Sequence, residues 1–306
     1  MNAMVPRVLF QLGFLLLLPP LLLGVVNRVK ALVAGRQGPP LLQLYWDLGR
    51  LLRKETVQSR TTTWIFRAGP ALGLAAVAAA GLMLAVAGEP ALVSFAGDFV
   101  LFAYLLGLGR FFTALAALDT GSAFEGMGAA REVSFSALAE PALFLAFVVL
   151  ARATGTLSLS GMLGPELPSA WSRSAPALLL VTIGVFVVAL AENSRVPVDD
   201  PGTHLELTMI HEVMVLDHSG PDLAFILYGA ALKLFLFGAI FARLALGFRF
   251  QSLLAAEAVF LLGLLGFAAL VGLTESTMAR LRLVRVPQLL VGVSVLSVFA
   301  LVLLLG

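Results

Sequence analysis

Eight long apolar runs, separated by shorter polar stretches, occupy most of this chain: 8–26, 68–87, 95–118, 133–151, 175–191, 223–246, 252–273 and 288–305. About 20 apolar residues in a helix cross the hydrocarbon of a bilayer, and a helix satisfies its own backbone there, so each run is predicted to span. The expectation is an all-α integral membrane protein: a bundle of about eight transmembrane helices forming a single polytopic membrane domain over 1–306. Composition agrees, because 60% of residues are hydrophobic and only 12% charged, about half the charge of a soluble domain. The first run follows only Met1 to Arg7 and lacks a small-residue cleavage site, so it reads as a retained helix. Pro19 and Pro20 in the first run and Pro141 in the fourth remove backbone donors and predict kinks. There is no inverted repeat and no low-complexity linker.

Cysteine is absent, which excludes disulfides, thiolate-bound iron-sulfur clusters and thiolate zinc sites within this chain. Any redox centre therefore belongs to a neighbouring chain.

Basic residues set the orientation. Fourteen of them, from Arg28 and Lys30 through Arg110 and Arg195 to Arg285, are assigned to the connections after odd-numbered runs, against Arg7, Arg152, Arg173, Arg243 and Arg249 on the other side. The positive-inside rule then places the 27–67 and 192–222 loops in the cytoplasm and both termini outside. Within the first of these loops, Leu41, Leu44, Tyr45, Leu48, Leu51 and Leu52 recur at helical spacing among Gln43, Asp47, Arg50, Arg53 and Lys54. That pattern predicts an amphipathic helix on the membrane surface after the first span, with or without a docked partner.

The 192–222 stretch holds seven of the eighteen carboxylates and all three histidines. So much charge between two apolar runs has to face water or a partner protein. Inside the runs, Asp98, Lys233 and Glu257 are candidates for a proton or ion path, with Lys233 expected to pair with Glu257 or Glu140, or else to form a static ion pair. Glu132 and Glu140 lie eight residues apart, about 12 Å along a helix and roughly 80° around it, so one further group or water could bridge them. A metal site is not expected. His204, His211 and His218 are spaced by seven, but the outer two would lie about 21 Å apart on a helix, and HEVMV is not a zinc-binding HExxH pair.

Three stretches, GRQGPPLLQLYWDLGRLLRKE, GSAFEGMGAARE and AENSRVPVDDPGTHLELTMIHEVMVLDHSGPDL, resemble the cytoplasmic signatures of one family. It joins subunit 1 of respiratory complex I, its H-type subunit, to the membrane anchor of group 4 nickel-iron hydrogenases. THLELTMIHE and SGPDL are similar to its formate hydrogenlyase subunit 4 branch, also called hydrogenase-4 component C. Val198, Gly202 and His204 depart from the RAPFD-and-glutamate pattern of the complex I protein, and the departure argues against a quinone site.

The resemblance implies a non-catalytic subunit of a prokaryotic inner-membrane oxidoreductase complex. It would anchor a hydrophilic electron-transfer arm and couple its redox chemistry to proton or sodium translocation. Implied partners are hydrogenase-like large and small subunits, an iron-sulfur subunit and antiporter-like membrane subunits, besides lipid; no nucleic-acid partner is expected. Iron-sulfur clusters and a nickel-iron centre would sit in those partners and no cofactor in this chain. Arg36, Asp199, His204, Glu206, His211, Glu212 and Asp217 would border the arm junction or a quinone-like cavity; a histidine or carboxylate of this loop, with a pKa near neutrality, is suited to delivering protons towards the docked centre. Glu132, Glu140 and Glu192 would carry the polar path into the membrane. Two alternatives stand beside this one: a quinone-binding, H-type subunit of a complex I-like dehydrogenase, and a stand-alone ion transporter.

Overall fold

The computed structural model describes residues 4–86, 89–199, 210–247 and 253–305. Among these, eight helices are long and apolar enough to cross a membrane: α1 (Met4–Val33), α3 (Trp64–Gly81), α4 (Asp98–Asp119), α5 (Ala123–Thr154), α7 (Leu167–Glu192), α8 (Gly220–Ala245), α9 (Leu253–Thr277) and α10 (Arg285–Leu305). Two short helices, α2 (Gln43–Leu51) and α6 (Leu159–Met162), lie in connections.

The spans match the eight runs in number and order but not at their ends. α5 begins ten residues before its apolar run, because GSAFEGMGAARE is helical, with Ser122 preceding the first turn and Glu125 inside it. Glu125 and Glu132 thus lie within a span. α7 begins at Leu167 and bends at Ser174, two residues before Pro176, so polar and apolar halves form one element.

α8 forms the middle of the bundle, packed against α1, α3, α7 and α9, while α10 closes the far side against α5 and α7. Phe235, Phe237 and Ile240 on α8 are fully buried, as are Phe147 on α5 and Phe267 on α9. Close packing, not escape from water, holds such helices together in lipid, and small residues allow the closest approach. α3 and α4 show this: a Cβ on Gly109 would sit 3.4 Å from the carbonyl oxygen of Gly73.

Tyrosines answer the proline pair of the first span. Proline at 20 leaves the Leu16 carbonyl without its helical donor. The Tyr228 hydroxyl of α8 donates to that oxygen at 2.9 Å, and the Tyr45 hydroxyl of α2 donates to the carbonyl of Leu17. α2 packs on α1 and α8 with no fully buried residue, keeping Leu44, Tyr45 and Leu48 towards the bundle and Trp46 and Arg50 outward.

Asp98 is a structural group. Its buried carboxylate accepts from the Leu159 amide at 2.5 Å and the Phe95 amide at 3.2 Å, tying the start of α4 to α6. Asp119 does the same for α3, accepting from the Thr63 and Phe66 amides.

Candidate functional site: a buried ion cluster beneath the acidic loop

Four helices present ionisable side chains to one interior point, α5 supplying two of them. Arg110, in the middle of α4, donates to Glu140 of α5 at 2.9 Å and to both oxygens of Glu192 of α7 at 2.9 and 2.7 Å. Glu132 of α5 stands 3.6 Å from its Nε. Lys233 of α8 lies 3.7 Å from Glu192. The planar guanidinium suits this task, since its fork of donors can serve several carboxylates at once.

The cluster is asymmetric. The side chains of Arg110 and Glu192 are 7% and 3% exposed, whereas Glu140 is 41% exposed on the flank of the bundle. On the other side it borders a cavity of about 80 Å³, lined by Arg110, Glu132, Glu192, Asn193, His211 and Lys233 among apolar neighbours. That volume holds a few water molecules.

Above the cavity, the end of α7 and the segment after it fold back over the cluster. Arg195 N–H reaches the Leu190 carbonyl at 2.8 Å, with Ser194 in the left-handed region (φ 50°) at the turn. The Val196–Pro197 peptide is cis. Asp199 then braces the loop: one oxygen takes Arg280 at 2.9 Å and the other accepts from the Ile210 and His211 amides at 3.2 Å each. Glycine seats the returning turn, since a Cβ on Gly128 of α5 would fall 2.3 Å from a Val213 methyl and 2.9 Å from the Ile210 carbonyl oxygen. Nearby, Glu275 of α9, its side chain fully buried, holds Lys30 of α1 at 2.6 Å and Arg195 at 3.1 Å. Between these groups and α2 lies a second cavity of about 420 Å³, lined by Lys30, Arg195, Asp199, His211 and Glu212 with Leu44 and Ile226.

The two histidines among the described residues differ in surroundings and agree in titration. Burial and the positive charges of Lys233 and Arg195 lower the His211 pKa to about 4. His218 stacks on Phe66 with ring centroids 4.0 Å apart, and burial lowers its pKa to about 4 as well.

The structure therefore brings together Glu132, Glu140, Glu192 and Lys233, and it corrects several sequence expectations. Lys233 pairs with Glu192 on α7, not with Glu257 or Glu140, because α8 packs beside α7 at this level. Asp98 lies twelve residues before Arg110, about 18 Å along α4, and is occupied as a cap. Glu257, half-buried on α9, has no ion-pair partner among the described residues. Asp199 is buried and engaged within the loop rather than presented to a partner. Arg36 and Asp217 are exposed, and Glu212 lines the outer cavity. His204 and Glu206 lie outside the described residues. Between His211 and His218 the chain forms a short 3-10 turn at Glu212–Val215 and not one continuous helix, so these two histidines do not line up along a helix face.

Sequence reasoning misses Arg110 by assigning it to a cytoplasmic connection. Taking it away leaves the basic asymmetry intact, and its position inside the 95–118 run is the signal that reveals it. Glu275 and its two cations escape for a simpler reason, since each stands near the end of a run, where charge is unremarkable.

The chain has relatives among known proteins. Residues 7–306 match the NADH dehydrogenase family. The chain is 32% identical over 280 residues to hydrogenase-4 component C of Escherichia coli, covering 89% of this chain and 87% of that one. It is 29% identical to formate hydrogenlyase subunit 4 of Escherichia coli, covering 92% of each. An NADH-quinone oxidoreductase subunit of Rubrobacter xylanophilus is 26% identical across 72% of this chain and 68% of its own length. Among solved structures, a chain of the membrane-bound sulfane sulfur reductase, an archaeal respiratory membrane complex, shares the fold with a TM-score of 0.83 at 20% identity, covering 99% of this chain and 100% of that one. An all-helical membrane bundle with a match along nearly its whole length belongs, plainly, to the NADH dehydrogenase family.

Proposed function

We propose that this chain is the membrane anchor of a formate hydrogenlyase-like or complex I-like oxidoreductase complex, and that its ion cluster carries protons between a docked electron-transfer arm and a neighbouring membrane subunit. One observation carries the reading: Arg110 gathers Glu132, Glu140 and Glu192 inside the bundle, with a cavity at one end and Glu140 open at the other. Charge inside a membrane is costly unless paired or hydrated. Glu140 is paired with Arg110 on its inner side but leaves 41% of its side chain exposed midway along α5, and a polar neighbour in the same membrane, where antiporter-like subunits would stand, would cover that open side. By the positive-inside rule the acidic loop, Arg36 and α2 face the cytoplasm of a prokaryotic cell and both termini face outward. There Arg36, Glu212, Asp217 and the segment holding His204 and Glu206 offer the seat for hydrogenase-like large and small subunits and an iron-sulfur subunit. Any cluster or nickel-iron centre would belong to those subunits. Either protons or sodium ions could be the species exported by the complex as a whole.

A quinone-binding role has one observation in its favour. The outer cavity of about 420 Å³, with Leu23, Leu44 and Leu227 in its wall, is in the size range of small-molecule sites. The inner cavity beside the cluster, at about 80 Å³, falls well below it. Mild-detergent purification of the tagged chain tests the main reading. Co-purification of iron-sulfur and antiporter-like subunits is expected; recovery of the chain alone, active as an ion carrier in proteoliposomes, would overturn it, and bound quinone in the purified complex would favour the second.

A further inference from the structure

The inner and outer cavities share a wall. Asn193, Ser194, His211, Ile226 and Ala230 line both, and His211 is the titratable residue among these five. We propose that His211 hands protons between the two cavities, taking them from water on the outer side and delivering them to the Glu192 end of the ion cluster, or the reverse. The inference rests on the proton-path reading above and adds a specific carrier to it.

Several features of the wall support the role. The backbone of His211 is pinned by Asp199, which Arg280 holds in turn, so the ring is anchored at its root. Its side chain reaches the wall that both cavities share. Beside it, Asn193 donates to the Ala189 carbonyl at 2.7 Å while its buried side-chain oxygen has no partner. A buried acceptor without a donor is unusual, and this one belongs to a residue of the same shared wall, where a water or the imidazole N–H could answer it. The charges facing His211 come from both sides. Lys233 of α8, Arg110 of α4, Glu132 of α5 and Glu192 of α7 line the inner cavity. Lys30 of α1 together with Arg195, Asp199 and Glu212 lines the outer one.

The chemistry is simple to balance. A neutral imidazole carries one N–H donor and one bare nitrogen. A proton arriving from a hydronium or hydrated acid on one side binds the bare nitrogen; the proton on the other nitrogen then leaves to the opposite side, and a flip of the ring turns the new N–H towards the delivering side and the bare nitrogen back towards the source. One proton has crossed and nothing is oxidised or reduced. Burial and the positive charges of Lys233 and Arg195 keep the resting ring neutral, so the imidazolium exists only in transit and does not trap the proton.

The test uses the intact complex in liposomes, reading ions moved per electron pair across a range of pH. His211→Gln and His211→Asn keep a neutral polar side chain and abolish titration. Both are expected to lower translocation by about a hundredfold while the partner subunits still co-purify, and added imidazole is expected to restore it in His211→Ala. Wild-type translocation with an unchanged pH profile in the Gln and Asn variants would overturn the proposal, as would an assembled His211→Ala complex that ignores imidazole. Failure of both isosteric variants to assemble would also count against it, because it would make His211 a structural group. Glu192→Gln separates the two levels. If it blocks translocation and His211→Gln does not, only the histidine carrier falls; if neither blocks it, the proton path falls with it.

Discussion

Arg110 is one guanidinium serving three carboxylates, and that makes it hard to replace. Removing one partner from a buried ion pair leaves uncompensated charge, which costs about 3–5 kcal/mol. Arg110→Gln is therefore expected to lower the melting temperature of the purified complex sharply, as measured by scanning calorimetry. Arg110→Lys should recover little of it, because an ammonium cannot fork between Glu140 and Glu192. Adding Glu132→Gln and Glu140→Gln to Arg110→Gln should recover more, since two of the three carboxylates are then neutral and the third, Glu192, keeps Lys233 as its partner. The histidines predict an acid limb. Both His211 and His218 have folded pKa values of about 4, below the ordinary 6.5. Above pH 6.5 neither state binds the proton and stability is level; as pH falls towards 4 the unfolded chain gains protons that the folded chain refuses, and stability declines. His218→Phe keeps the ring stacked on Phe66 and is expected to remove its share of that decline in unfolding experiments across pH 4 to 7, leaving the share of His211. An unaltered acid limb would contradict the buried neutral assignment.

At the scale of elements, the legible and the hidden parts of the fold divide along a physical line. The eight spans can be read because hydrocarbon demands long uninterrupted apolar runs. Their ends cannot, because GSAFEGMGAARE continues α5 as helix while carrying charge, and hydropathy alone registers only the change in polarity. Glu132, Glu140, Glu192 and Lys233 announce themselves as ionisable groups in or beside apolar runs, but their partners depend on which helices adjoin and which way each face turns. Periodicity within one helix holds no information about its neighbours, which is why it matches Lys233 to the wrong acids and leaves the bridge between Glu132 and Glu140 unnamed. The Tyr228 contact with α1 is of the same kind: Pro20 predicts a freed carbonyl, and only packing says who answers it. Tyr228→Phe is expected to destabilise the chain by about 1 kcal/mol in denaturant titrations, with no change in subunit composition.

For the whole molecule, the proposed proton route has two ends. One end lies under a loop braced by Asp199 and by the buried Glu275 pairs, where the polar surface gathers. The other is Glu140, which is partly exposed on the flank of α4 and α5. The whole-length likeness to hydrogenase-4 component C and to formate hydrogenlyase subunit 4 suits a chain that works between partners.

The most direct test is the number of ions exported per electron pair by the reconstituted complex carrying Glu192→Gln, with subunit composition checked on the same sample. The account predicts that electron transfer by the attached arm continues while export falls by about a hundredfold. Undiminished export from a fully assembled Glu192→Gln complex would contradict it.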